Sequence, residues 1–142
     1  MTASLLFQIL NTAILPVWLM MIIAPKWRVT LWVVNSYLVP VLLAVAYVGI
    51  VCTNLGAIWG ADFGSLQGIK TLFRGALENE WFLAAAWFHY LAFDLVVGGG
   101  ILNDSQKLGI NHFLIIPCLF FTLMLGPAGF LLYLIVRVAH RK

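Results

Sequence analysis

Two ionisable side chains stand inside an otherwise apolar stretch of this sequence. Asp94 lies near the middle of residues 81–102, and His89 lies five positions before it. Placing an Asp at the centre of a membrane helix costs about 2.5–3.5 kcal/mol, so such a residue reads first as a functional group. An acid and a base held in one apolar layer suit proton transfer to and from a bound ligand. Helical geometry limits how the two act together. Five residues turn through roughly 140° and rise about 7.5 Å, so the side chains do not form one tight pair in a straight helix. They face two different neighbours, or they flank a ligand held between helices. Tyr90, four residues before Asp94 and on its face, is the better local partner.

Other polar residues fall at similar depth if the helices alternate up and down. Asn11 matches His89 in level. Thr53 and Asn54 lie at the same end of their stretch, and Gly126, Pro127, Gly129 and Tyr133 come from the last one. These groups are expected to converge on one polar pocket. The competing account is interhelical hydrogen bonding, worth only about 0.6–2 kcal/mol per group. The string Gly126-Pro127-Ala128-Gly129 predicts a kink whose freed carbonyl accepts a proton.

Haem and metal ions are the rival uses of a buried His. His89 and His112 are expected at opposite membrane faces, which rules out joint ligation of one iron and leaves a single-His site. His89, Asp94 and Asp62 form a conceivable donor set, but their spacing matches no strong metal motif. Gly98-Gly99-Gly100 has no strand-turn-helix context for a phosphate loop. It predicts close helix packing or an early helix end.

The elements that must carry these residues follow from composition. The chain has 142 residues, of which 63% are hydrophobic and 9% charged. Soluble domains run at about 45–50% apolar and about 25% charged, so a water-soluble fold is excluded. A spanning helix needs about 20 largely apolar residues. Residues 5–24, 37–58, 81–102 and 112–136 meet that length. None shows the sustained alternation of a barrel strand. The expected architecture is all-α: a single polytopic transmembrane domain over residues 1–142, built as a four-transmembrane-helix bundle.

Between the second and third spans, residues 59–80 are too long for a turn. Leu66, Ile69, Phe73 and Leu77 recur at helical spacing, with Lys70, Arg74 and Glu78 on a neighbouring face. That pattern predicts a short amphipathic helix at the interface, either a cover or a lid. Residues 25–36 and 103–111 are expected as loops, the first opened by Pro25.

The cations cluster near span ends, as membrane anchors do, and form no patch for nucleic acid. Lys26, Arg28 and Lys107 fall on one face against Lys70, Arg74, Arg137, Arg141 and Lys142 on the other, which places both termini inside. The first apolar run lacks a basic leader segment and reads as a span rather than a cleaved signal. Cys52 and Cys118 are expected at different depths, without a disulfide.

Several strings resemble one known family. Trp87-Phe88-His89-Tyr90-Leu91-Ala92-Phe93-Asp94-Leu95 is similar to the core motif of the abscisic-acid-deficient-4-like membrane proteins. Pro25-Lys26-Trp27-Arg28, Gly64-Ser65-Leu66-Gln67-Gly68, Ile116-Pro117-Cys118-Leu119 and Gly126-Pro127-Ala128-Gly129 follow in matching order. The plant members are linked to neoxanthin formation from violaxanthin in plastid membranes. The resemblance therefore implies a non-redox carotenoid-epoxide isomerase, or a bacterial relative acting on a related isoprenoid lipid. The implied setting is a plastid-type or bacterial inner membrane.

Opening an epoxide to an allene needs an acid for the oxygen and a base for a carbon-bound proton. Asp94 and His89 are the expected pair, with no cofactor required and a metal left open. Asn11, Trp87, Tyr90, Asn54, Tyr133 and Asp62 are the expected substrate-binding residues. The expected partners are membrane lipid, a carotenoid or isoprenoid ligand, and either a second copy of the chain or a carotenoid-pathway enzyme. Two alternatives stand: a non-catalytic carotenoid- or lipid-binding subunit that supports another enzyme, and a small-solute or proton pathway.

Overall fold

The computed structural model describes residues 2–140, so Arg141 and Lys142 of the orientation count lie outside the described residues. The described chain is all-helical: α1 (Ala3–Ile23), α2 (Arg28–Ser36), α3 (Leu38–Thr53), α4 (Leu55–Trp59), α5 (Leu66–Glu78), α6 (Glu80–Lys107), α7 (His112–Leu125) and α8 (Pro127–His140). Three helical segments, residues 3–23, 28–53 and 80–107, are long and apolar enough to cross a membrane.

α6 is the central post. Its Asn79 cap accepts from the Trp81 and Phe82 amides at 3.0 and 3.3 Å, satisfying donors the first turn cannot pair. α1 lies along it in the same direction, with Ala3 beside Glu80 and Trp18 against Gly98. α2 and α3 run the opposite way: Val34 meets Gly99, Tyr47 meets His89 and Asn54 bonds Asn79. Gly98 and Gly99 are therefore packing positions, and the Gly98-Gly99-Gly100 string is not a helix end. A Cβ at Gly98 would sit 2.6 Å from the Trp18 ring.

The stretch expected as the first loop is mostly α2. Only Ala24–Trp27 breaks the chain, and side chains satisfy the carbonyls left bare there. His112 Nε2 meets the Ile22 carbonyl at 2.9 Å, and the Thr30 hydroxyl donates to Ala24 O at 2.8 Å. Gln106 donates to Pro25 O, also at 2.8 Å. The second segment long enough to span thus runs over residues 28–53, with a joint at Tyr37, which adopts a left-handed φ of 54°. Pro40 explains the joint. It has no amide to return to the Ser36 carbonyl, so the α-helical ladder stops where α2 ends.

The expected fourth span is not one helix. It breaks at Gly126, whose φ is 21°, into α7 and α8 of 14 residues each. Each is about 21 Å long, against a hydrocarbon core of about 30 Å. α8 folds back along α7. Gly129 packs directly on the backbone of Thr122 and Cys118, residues about 10 Å or more away in a continuous helix. Farther along α8, Arg137 pairs with Asp104 at 2.7 Å, and the Tyr133 hydroxyl also bonds the Asp104 carboxylate. α7–α8 is therefore a returning hairpin, and its irregular tip is tolerable because Gly126 is buried in protein. Ala3 lies at the Glu80 end of α6, whereas Arg137 lies at the Asp104 end. The described chain ends consequently lie at opposite ends of α6.

Candidate functional site

α5 closes the Glu80 end of the molecule. Asp62 anchors it: one carboxylate oxygen accepts from the Gly64 amide at 2.8 Å, and the other takes the Ser65 hydroxyl. The Ser65 Oγ then accepts from the Gly68 amide at 3.0 Å, capping the helix. The Ser65 hydroxyl and then the Gly64 amide hold the Asp62 carboxyl below its usual range. The amphipathic stripe read from sequence turns partly outward. Leu66 and Leu77 are exposed at 73% and 71%, while Leu72 and Ala76 face inward.

Beneath α5 lies a cavity of about 860 Å³. Asn11, Ile14 and Leu15 come from α1, Tyr47 from α3, Leu72, Phe73 and Ala76 from α5, and Leu123 and Met124 from α7. α6 contributes Phe82, Leu83, Ala85, Ala86, Trp87, His89, Tyr90 and Leu91. The wall is mainly apolar and aromatic, and a few polar groups interrupt it, as in sites for small apolar ligands.

The polar groups are individually placed. The Trp87 indole donates to Asn11 Oδ1 at 3.0 Å. The His89 ring stands between Tyr47 and Phe93, with centroids at 5.2 and 4.9 Å. The Tyr90 hydroxyl donates to the Met124 carbonyl at 3.1 Å. That carbonyl is in the last turn of α7, where the break at Gly126 removes the next helical donor.

Asp94 does not line the cavity. It is 6% exposed, and its Oδ2 has no hydrogen-bond partner among the described residues. Its Oδ1 faces Gly126 so closely that a Cβ there would collide with it. The carboxyl thus sits at the start of α8, whose macrodipole favours negative charge, and within electrostatic reach of the Tyr90 hydroxyl. His89 and Asp94 face different neighbours, and Tyr90 stands between Asp94 and the cavity.

Of the residues assigned from sequence, Asn11, Trp87, His89 and Tyr90 meet at the cavity. The other three expected substrate-binding residues, Tyr133, Asn54 and Asp62, lie away from the cavity. Tyr133 lies with Asp104 and Arg137 because the hairpin carries it to the other end of α6. Asn54 links α3 to the α6 cap through Asn79 at 3.2 Å. Asp62 spends both oxygens on capping α5 and borders a separate hollow. Tyr47 was missed, although its level in an antiparallel α3 matches His89. No group of three or more His, Cys, Asp or Glu is placed to hold a metal among the described residues. Cys52 and Cys118 are both free.

A family model described as ABA DEFICIENT 4-like matches residues 5–133. The chain belongs to that family. The match includes every wall of the cavity, the Asp94–Gly126 contact and the hairpin as far as Tyr133. A curated member, Protein ABA DEFICIENT 4, chloroplastic, from Arabidopsis thaliana, is 30% identical over 112 residues. The aligned region takes in 74% of this chain and 49% of the Arabidopsis protein, so the chain spans about half the length of that relative. No solved structure matches this family member significantly.

Proposed function

We propose that the protein is an intramembrane isomerase of a carotenoid epoxide or a related isoprenoid lipid. One observation carries the reading: a mainly apolar cavity displays a His and a Tyr together, and the Tyr is backed by a buried carboxyl. Membership of the ABA DEFICIENT 4-like family supports the ligand class.

In this reading the three groups have different roles. Asp94 is a positioning residue, since it acts on the ligand only through Tyr90. The Tyr90 hydroxyl gives its proton to the epoxide oxygen, and the carbon–oxygen bond breaks. His89 takes a proton from the neighbouring chain carbon, and that electron pair completes the allene. One proton is delivered and one removed, so the product is an isomer and no redox partner enters. The proton held on His89 returns to the Tyr90–Asp94 pair as the product leaves, which resets the site. The aromatic and aliphatic wall excludes water that would otherwise trap the opened epoxide as a diol.

Tyr90→Phe keeps the ring and removes the hydroxyl. It is expected to lower turnover by about 10²–10⁴-fold, the range for a general acid, while pigment still binds. His89→Gln is expected to do the same, and Asp94→Asn to lose less. Wild-type turnover in a stably inserted Tyr90→Phe protein would sink the relay. Bound pigment with no turnover by the wild-type protein would favour the binding-subunit alternative.

A further inference from the structure

The large cavity has a neighbour on the other side of Trp87. A groove of about 370 Å³ lies between Ala3, Ser4 and Phe7 of α1 and Glu80 and Ala84 of α6. Leu83 and Trp87 border both volumes. The Trp87 indole is held in place by its 3.0 Å bond to Asn11 and by the Tyr90 ring, with centroids 5.6 Å apart. Trp87 is nonetheless 43% exposed, and Leu83 is 45% exposed. The two form a low ridge between the volumes.

The groove differs in character from the cavity. Its walls are apolar, and its one ionisable liner is Glu80, at the far end where α6 begins. It holds no acid/base group beside Trp87. From Glu80 to Leu91 the two volumes follow α6 for about 17 Å, eleven residues at about 1.5 Å each. A compact ligand fits the large cavity alone. An elongated one extends past the ridge.

We propose that the groove holds the tail of the same ligand whose end group reacts in the cavity, and that Leu83 and Trp87 are the ridge over which it passes. The occupant is an elongated, apolar isoprenoid chain with at most a hydrogen-bonding tip, which Glu80 meets. This rests on the reading of the cavity as an isoprenoid-lipid site. It makes Trp87 and the groove a determinant of ligand length, separate from the proton-transfer groups.

The test is binding of all-trans polyenes of two lengths, C20 and C40, to the purified full chain in lipid nanodiscs, read by polyene absorbance and tryptophan quenching. Ser4→Trp fills the groove from an exposed position on α1 and leaves the large cavity untouched. C40 affinity is expected to fall at least tenfold and C20 affinity to stay within twofold. Ser4→Ala is the control and is expected to change neither. If Ser4→Trp does not fold, Ser4→Leu carries the same comparison with about a threefold C40 effect. Equal weakening of both lengths, or no weakening of C40, overturns the groove. Failure of the wild-type chain to bind either length overturns the underlying cavity reading instead.

Discussion

A glycine-to-alanine exchange at position 129 should reverse the usual sign for a helix interior. Within an unbroken helix, replacing Gly by Ala gains about 0.8–1 kcal/mol. At Gly129 the new methyl would sit 2.5 Å from the Cys118 carbonyl oxygen and nearer still to Thr122. Those are mostly backbone atoms of α7, so no rotamer change clears them. Reaching a normal contact of about 3.5 Å from the nearest of these atoms requires α8 to withdraw by more than about 1 Å. Overpacking of this kind costs about 1–3 kcal/mol or more, and withdrawal also strains the contacts of Tyr133 and Arg137 with Asp104.

A net loss of at least about 1 kcal/mol is expected. Gly100 is the matched control, because a Cβ there meets nothing within 4 Å. Gly100→Ala should therefore stabilise by up to about 1 kcal/mol. Equilibrium unfolding in mixed micelles with rising SDS fraction, followed by far-UV circular dichroism, reads both. Equal stabilisation by the two substitutions would refute the hairpin, since a continuous last span leaves Gly129 about 10 Å from Thr122.

Two other outcomes follow from the Glu80 end. Asn79→Ala removes the acceptor for the Trp81 and Phe82 amides and the link to Asn54. It should cost about 1 kcal/mol in the same unfolding assay, and no loss would contradict the cap. The anchoring of α5 by Asp62 is pH-dependent in a defined direction. The folded carboxyl lies below the ordinary value of 3.8, so the contribution is complete above 3.8 and is lost as pH falls through the lower folded value. Limited pepsin cleavage within residues 63–73 should be slow at pH 4.5 and rise below 3.8. Asp62→Asn should remove that pH dependence, and an unchanged profile would contradict the assigned anchor.

Composition makes the all-helical class and two of the helices long enough to span a membrane legible, because runs of apolar residues longer than about 20 leave few alternatives. Depth counting also brings Asn11 to the level of Trp87, since two long helices along one post keep register. Register is lost where a single residue changes chain direction. Pro25, Lys26 and Arg28 make residues 25–36 read as a loop when most of that stretch is helix, and Pro40 ends that helix four positions back, at Ser36. Gly126-Pro127 signals a break, but the angle of the break depends on contacts distant in sequence. Gly129 must lie on Thr122, and Asp104 must draw in Tyr133 and Arg137. Extending the last span in a straight line therefore sends Tyr133 to the wrong end. Asp94 stands out in the sequence by its cost alone. That Tyr90 separates it from the cavity depends on where the hairpin tip lands, and no local pattern encodes that.

The central claim is that this chain moves protons on a bound isoprenoid epoxide without help from another protein. The direct measurement is incubation of the purified protein in lipid vesicles with violaxanthin, followed by chromatographic separation and mass determination of the pigments. The account predicts an allenic product of unchanged mass, formed by the wild-type protein and reduced at least a hundredfold in Tyr90→Phe. Bound violaxanthin recovered unaltered from the wild-type protein would contradict it.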